Sequence, residues 1–90
     1  MPIVKFTQAL KRFYPSLESL DINATTLLEV LQILNAKHEG LRDYILDDQG
    51  QLRQHVNIFI DGTLIKDRVS LSDAFKPESE IFIMQALSGG

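Results

Sequence analysis

The spacing of apolar residues changes along this 90-residue chain, and the changes divide it into predicted strands and helices. Residues 3–10 are rich in β-forming side chains and place Val4 and Phe6 on one face, which predicts a first strand. A turn is expected over residues 11–16, and a second, imperfect strand over residues 17–22. Two strands joined by so short a turn predict a hairpin.

A different spacing begins near residue 26, where apolar residues recur every three or four positions, as on one face of an α-helix. Thr26 and Glu29 form a capping-box pattern, in which each side chain accepts a hydrogen bond from the other's backbone amide. Gly40 stands where a left-handed residue often ends a helix. A helix is therefore predicted over residues 26–38.

The rest of the chain returns mostly to strand spacing. A short second helix is expected over residues 41–46, followed by a turn. The clearest strand lies at residues 56–60, and an Asp-Gly turn leads from it to a short return strand at residues 63–65. A helical turn is expected over residues 71–75 and a final strand over residues 80–86.

This order of elements predicts an α+β fold, in which one main helix packs on a mixed, mostly antiparallel sheet of four to five strands. The core is expected where apolar residues follow period 3.6 on the helix and period 2 on the strands. These residues are Val4, Phe6, Leu27, Val30, Leu31, Leu34, Val56, Ile58, Ile60, Ile81 and Ile83.

Composition narrows the possible function classes. Apolar residues make up 44% of the chain and charged residues 23%, which is typical of a globular domain. Cysteine is absent from the sequence, which excludes a disulfide scaffold, a thiolate zinc site and a cysteine nucleophile. The net charge of −3 leaves no basic surplus for a nucleic-acid-binding face. Because no apolar run approaches the length of a membrane span, no membrane partner is expected and the expected location is the cytoplasm.

Residues that could build a catalytic or metal site are few. His38 and His55 have no ligand spacing to one another, and zinc sites usually need three or four ligands. Asp47 and Asp48 fit a turn better than a calcium loop. No glycine-rich phosphate loop and no nucleophilic serine motif occurs. The sequence therefore predicts a chain without a metal or cofactor site of its own.

The end of the chain is its most informative feature. Leu87, Ser88, Gly89 and Gly90 follow directly on the final predicted strand. Glycine has no Cβ, so a Gly-Gly end can extend through a narrow channel in which any side chain would clash. The α-carboxylate of Gly90 would then be an exposed reactive group on a stiff domain.

With this ending, the chain resembles the ThiS/MoaD-type sulfur carriers of the ubiquitin-like β-grasp fold. The resemblance lies in the Val-Asn-Ile-Phe-Ile-Asp-Gly run at residues 56–62, the segment 71–79, and residues 80–90. The family includes the small subunit of molybdopterin synthase, the thiazole sulfur carrier and the thiocarboxylate carrier of bacterial cysteine synthesis. The last is the most similar, in its Val-Asn-Ile-aromatic strand and its Ala-x-x-Gly-Gly ending. Many molybdopterin-synthase small subunits have a proline-containing segment where this chain has residues 85–87.

The resemblance implies a β-grasp domain over residues 1–86 and a flexible tail over residues 87–90. It also implies that an E1-like enzyme uses ATP to adenylate the carboxylate of Gly90, next to Gly89, and that a persulfide or sulfide then converts it to a thiocarboxylate. A sulfur-accepting synthase of cysteine, molybdopterin or thiamin-type biosynthesis is the second implied partner. ATP belongs to the activating enzyme, and the carrier itself is not an enzyme.

The alternation of side chains predicts where such partners dock. If the even-numbered positions of the strand at 56–60 face the helix, Phe59 faces away from it, and the same argument turns Phe82 and Met84 outward. These three residues are expected to meet on the open face of the sheet as a docking patch, which Leu87 extends toward the tail. In the alternative arrangement, the return strand or residues 66–79 fold over them.

Two other functions stay open at this point. A ubiquitin-like modifier would use the same adenylate to join Gly90 to lysines of target proteins. A binding module whose two terminal glycines arose by chance would not need Gly90 at all. The excess of acidic residues lies entirely in residues 46–90, which suits docking onto a basic partner surface.

Overall fold

A single mixed sheet organises the computed structural model, which describes residues 1–85 apart from the side chains of Ala9 and Phe13. The strands are β1 (Ile3–Phe6), β2 (Leu20–Asp21), β3 (Val56–Ile60), β4 (Thr63–Leu64) and β5 (Glu80–Gln85), and the helices are α1 (Gln8–Phe13), α2 (Leu27–Lys37) and α3 (Leu41–Ile45). The strand order is β2-β1-β5-β3-β4. β1 and β5 are parallel, and the other three pairings are antiparallel. The predicted α+β class and mixed sheet are confirmed.

The main helix, α2, forms where its pattern predicts it. The Glu29 amide donates to the Thr26 hydroxyl over 3.1 Å, and the Thr26 amide donates to the Glu29 carboxylate over 3.2 Å, which completes the capping box. Such a cap stabilises a helix by about 1 kcal/mol. Gly40 has a φ of 89°, in the left-handed region, and also begins α3. Two helices therefore meet at one glycine.

The segment after β1 differs from its prediction. The strand ends at Phe6 instead of residue 10, and α1 takes the end of the expected strand and the first half of the expected turn. Leu10 is completely buried, and a strand that buries Val4 and Phe6 would bury it as well, so the apolar period did not distinguish the two structures. Because Ala, Leu, Lys and Arg fill this segment, helix propensity decided it.

The predicted hairpin between the first two strands is only partly correct. β2 does pair antiparallel with β1, but it spans two residues instead of the expected 17–22. The connection contains α1, so it is not a tight turn. Leu17 and Ile22, on either side of β2, are both buried. Their apolar side chains explain why the sequence pattern predicted a longer strand.

The core lies between α2 and one face of the sheet. Every predicted core residue is buried except Ile60, which is partly buried and packs against the others. The loops and short helices contribute further buried leucines and isoleucines, which are Leu10, Leu17, Ile22, Leu41, Ile45, Leu46, Leu52, Ile65 and Leu71. The core is therefore larger than the periodic segments alone indicate.

The predicted helical turn over residues 71–75 is wrong. Leu71 has a φ of 55° and is buried, so it anchors a non-helical loop in the core. Asp67 accepts hydrogen bonds from the backbone amides of Val69, Ser70 and Ser72, and Asp73 accepts from those of Lys66 and Asp67. These bonds hold the backbone before Leu71 in a loop, and the left-handed conformation of Leu71 is incompatible with a right-handed helical turn that begins there.

Candidate functional site

The open face of the sheet carries the three aromatic and methionine side chains that the alternation pointed to. Phe59 on β3 lies directly opposite Phe82 on β5, and Met84 lies one step further along β5, opposite Asn57. Phe59, Phe82 and Met84 are each partly buried, whereas their sequence neighbours Ile58 and Ile83 are fully buried on the helix side. The structure thus brings these three residues together on one face.

A fourth apolar residue extends this surface. Leu64 on β4 pairs with Phe59, and residues paired across antiparallel strands point to the same side of a sheet. Leu64 is 46% exposed. We call the surface formed by Phe59, Leu64, Phe82 and Met84 the open-face patch. The sequence did contain a signal for Leu64, because a two-residue Asp-Gly turn fixes the register in which Leu64 meets Phe59.

The turn that sets this register is itself held against β5. Asp61, with a φ of 51°, accepts a hydrogen bond from the Ser79 hydroxyl over 2.8 Å and from the Glu80 amide over 2.9 Å. The Glu80 amide, followed by the Ser79 hydroxyl, lowers the pKa of the Asp61 carboxyl. These bonds join the β3–β4 turn to the start of β5, so the three strands that carry the patch are connected at this end.

A charged pair borders the patch on the β1 side. Lys5 lies opposite Phe82 in the parallel pairing of β1 and β5, and its Nζ is 3.3 Å from the carboxylate of Glu80. Both side chains are about half exposed, at 43% and 52%. An exposed pair of this kind contributes little stability, so it acts mainly as a polar rim for the apolar surface.

The loop over residues 66–79 reaches the sheet beside the patch, through the side chain of Arg68. The Arg68 guanidinium donates to the Asn57 side chain over 2.9 Å and to the backbone carbonyls of Arg53 and Val56 over 2.6 and 2.8 Å. These contacts lie beside Asn57, at the part of β3 that β4 does not reach. The loop therefore contacts the sheet at Asn57, while Leu64 keeps its exposed surface.

The tail lies beyond the described residues. The predicted final strand reaches residue 86, and β5 is described to Gln85. The site residues Leu87, Gly89 and Gly90 also fall outside the described part of the chain. Gly90 is six residues beyond Met84 in the sequence. Six residues of fully extended chain span about 20 Å. Phe82 and Met84 therefore belong to the same continuous stretch of chain as the glycines.

The two histidines do not come together. The ring of His38 packs edge-on against Tyr14, with ring centroids 6.3 Å apart. His55 instead lines a shallow cleft with Asp43, Tyr44 and Arg53. Within residues 1–85, no three histidine, aspartate or glutamate side chains are grouped so that they could hold a metal ion. In the same part of the chain, no helix is long and apolar enough to cross a membrane.

The sequence matches the ThiS family over residues 4–90, which is nearly the whole chain. The chain belongs to the ThiS family. The recognised resemblance to ThiS/MoaD-type proteins is thereby confirmed, and with it the coarser functional class, a ubiquitin-like sulfur carrier or modifier. No curated protein matches the sequence significantly.

Solved structures share the fold. A chain in the BexX/CysO complex of Amycolatopsis orientalis superposes with a TM-score of 0.82 at 17% identity, covering 100% of both chains. CysO of Mycobacterium tuberculosis gives a TM-score of 0.80 at 21% identity, covering 97% of this chain and 100% of its own. The small archaeal modifier protein 1 of Methanosarcina acetivorans gives 0.77 at 26% identity, covering 99% and 95%. These similarities confirm the ubiquitin-like β-grasp fold.

Proposed function

We propose that this protein carries sulfur as a thiocarboxylate on Gly90. The observation that carries the proposal is the family match, which extends through the two glycines at residues 89 and 90. An E1-like enzyme would join the Gly90 carboxylate to the α-phosphate of ATP and release pyrophosphate. Sulfide would then attack the acyl carbon and displace AMP, which gives the thiocarboxylate directly. A persulfide would displace AMP to give an acyl disulfide, and a thiol of the activating enzyme would then release the thiocarboxylate by forming a disulfide with the other sulfur. The resulting thiocarboxylate would donate its sulfur to a synthase.

The open-face patch supports this proposal as the docking surface for both partners. Phe59, Leu64, Phe82 and Met84 form one apolar area bordered by the Lys5–Glu80 pair, and interfaces are enriched in such aromatic and methionine side chains. Leu87 would continue this surface toward the glycines. Docking through the patch would leave Gly90 free to enter the active site of the partner.

The carrier would leave the difficult chemistry to its partners. The proposed steps need a nucleotide, a sulfur donor and acid–base groups, and we place all of these in the activating enzyme and in the synthase. The carrier would act as their substrate and not as an enzyme. The cytoplasm is the proposed location, since this is where ATP-dependent activation would take place.

A protein modifier is the second candidate function. A small archaeal modifier protein is among the structures of the same fold, and it is 26% identical to this chain. A modifier would pass through the same adenylate and then form an amide with a target lysine. Intact-mass measurement distinguishes the two functions, because a thiocarboxylate exchanges one oxygen for sulfur on the free chain, whereas conjugation produces a ladder of larger species.

The decisive experiment removes the reactive end. Deleting Gly90, or replacing Gly89 with a bulky residue such as Phe, is expected to abolish adenylation by the cognate activating enzyme while the fold stays intact. Ser88→Ala is the matched control, since it changes the same segment and keeps both glycines. If the chain without Gly90 is adenylated normally, the carrier and the modifier functions are both wrong, and the chance-glycine binding module is favoured.

A further inference from the structure

Gln85 is a polar residue in an apolar row. It follows Ile81 and Ile83 on the helix-facing side of β5, both fully buried, and it lies opposite the buried Val56. Its side-chain Oε1 is buried and has no hydrogen-bond partner within the described residues. A buried acceptor without a donor destabilises a fold, so packing alone does not explain a glutamine at this position.

Two hydrogen bonds hold Gln85 from different helices. Its side-chain Nε2 donates to the hydroxyl of Tyr44 in α3 over 3.2 Å. Its backbone amide donates to the hydroxyl of Thr7, at the start of α1, over 3.4 Å. The last described residue of β5 is thus attached to β3, α1 and α3 at once.

Thr7 is diverted from its usual role. It occupies the N-cap position of α1, where a threonine hydroxyl ordinarily accepts a bond from an amide of its own helix. Here it makes no such capping bond. The hydroxyl instead accepts the hydrogen bond from the Gln85 amide, so Thr7 contacts the end of β5 and does not cap its own helix.

Tyr44 is held by other aromatic rings. Its ring packs edge-on against Tyr14, with centroids 6.3 Å apart and an interplanar angle of 87°. Tyr14 in turn packs edge-on against His38 at the end of α2. Edge-on aromatic pairs of this kind are favourable. The Tyr44 hydroxyl is therefore presented to Gln85 from a supported position.

We propose that Thr7, Tyr44 and Gln85 form a clamp that fixes the point from which Gly90 reaches the activating enzyme. This inference rests on the proposed function and makes Gln85 a positioning residue for it. Five residues follow Gln85, and loss of the clamp would let β5 open back to Ile83, leaving seven. The effective concentration of the Gly90 carboxylate at the active site falls with roughly the 3/2 power of the length of the segment that follows β5. Lengthening this segment from five to seven residues gives about a twofold loss, and the loss of a fixed direction at the strand end adds to it.

The test compares three variants and two controls in adenylation by the cognate activating enzyme. Tyr44→Phe and Thr7→Val each remove one hydroxyl of the clamp, and the double variant removes both. Thr7→Ser restores the hydroxyl, and Tyr14→Phe removes a hydroxyl that does not bond to β5. We expect kcat to fall two- to fivefold in the double variant with a smaller change in KM, because Phe59, Leu64 and Phe82 of the open-face patch keep their places and only Met84 is loosened. Thr7→Ser and Tyr14→Phe are expected to keep the wild-type kcat.

Hydrogen exchange of the Gln85 amide, followed by NMR, provides a readout that needs no enzyme. Faster exchange in the double variant together with a lower kcat supports the clamp. If exchange is unchanged, the two hydroxyls do not hold the end of β5. If exchange is faster but kcat is unchanged, holding the end of β5 does not position Gly90. Either result overturns the inference while the carrier function stands. If the wild-type chain is not adenylated at all, the proposed function fails and the positioning role fails with it.

Discussion

Leu64 and Leu28 offer a matched test of the open-face patch. Leu64 is 46% exposed on the sheet face, next to Phe59, and Leu28 is 42% exposed on α2, on the opposite side of the molecule. The same substitution, Leu→Gln, at each position removes the same apolar side chain from two surfaces of nearly equal exposure. Only Leu64→Gln should weaken the binding of the activating enzyme.

The expected magnitude follows from the exposed fraction. Complete burial of a leucine side chain is worth about 1.5–3 kcal/mol, and slightly less than half of Leu64 remains for a partner to cover. Leu64→Gln should therefore cost about 1 kcal/mol of binding free energy, which raises Kd roughly fivefold. The fold should tolerate the change, because β4 is a two-residue strand at the edge of the sheet.

Isothermal titration of the activating enzyme with each variant measures the effect, and thermal melting checks that both variants fold. Equal weakening by Leu28→Gln would show that general surface hydrophobicity, and not the open-face patch, controls binding. An unchanged Kd for Leu64→Gln would show that the partner does not cover β4.

Three further predictions concern the patch, the core and the loop. Phe59→Ser or Phe82→Ser should weaken partner binding by about 1 kcal/mol or more while the domain stays folded, and unfolding of both variants would mean that these rings belong to the core. Ile58→Ala, at a fully buried position, should lower the free energy of unfolding by about 2–5 kcal/mol in urea denaturation, and a loss well below 1 kcal/mol would show that the wrong face was assigned. The Ser72 hydroxyl, followed by the Ser70 amide, lowers the pKa of Asp67 from 3.8 to about 2. The stability that ionised Asp67 contributes should therefore be present above pH 4 and be lost as pH falls toward 2, and thermal melting of Asp67→Asn should show a smaller loss over that range than the wild type.

Local signals predicted the elements that local physics determines. The capping box predicted the start of α2 and the helical period its end, each to within a residue, because the bonds between Thr26 and Glu29 are local. The Asp-Gly turn and the alternation at residues 56–60 placed β3 and β4 correctly. The same alternation in β3 and β5 placed Phe59, Phe82 and Met84 on one face.

The errors occurred where a distant or ambiguous interaction decided the structure. Leu10 suits a strand and a helix equally, so its burial did not reveal α1. The loop near Leu71 depends on Asp67 and Asp73 reaching amides up to seven residues away, which no local pattern shows. The bond between Gln85 and Tyr44 joins residues 41 positions apart and became visible only in the folded chain.

The position of β5 in the sheet connects docking to the proposed chemistry. β5 lies between β1 and β3, so both of its edges are paired, and it carries Phe82 and Met84 on its open face. The same strand leads, through Gln85, into the residues that end at Gly90. A partner that covers the patch would therefore bind the most completely paired strand of the sheet. The same strand continues into the tail, so binding at the patch would place the start of the tail relative to the partner. Substitutions in the patch should then change Kd, those in the clamp should change kcat, and the glycines alone should decide whether any adenylate forms.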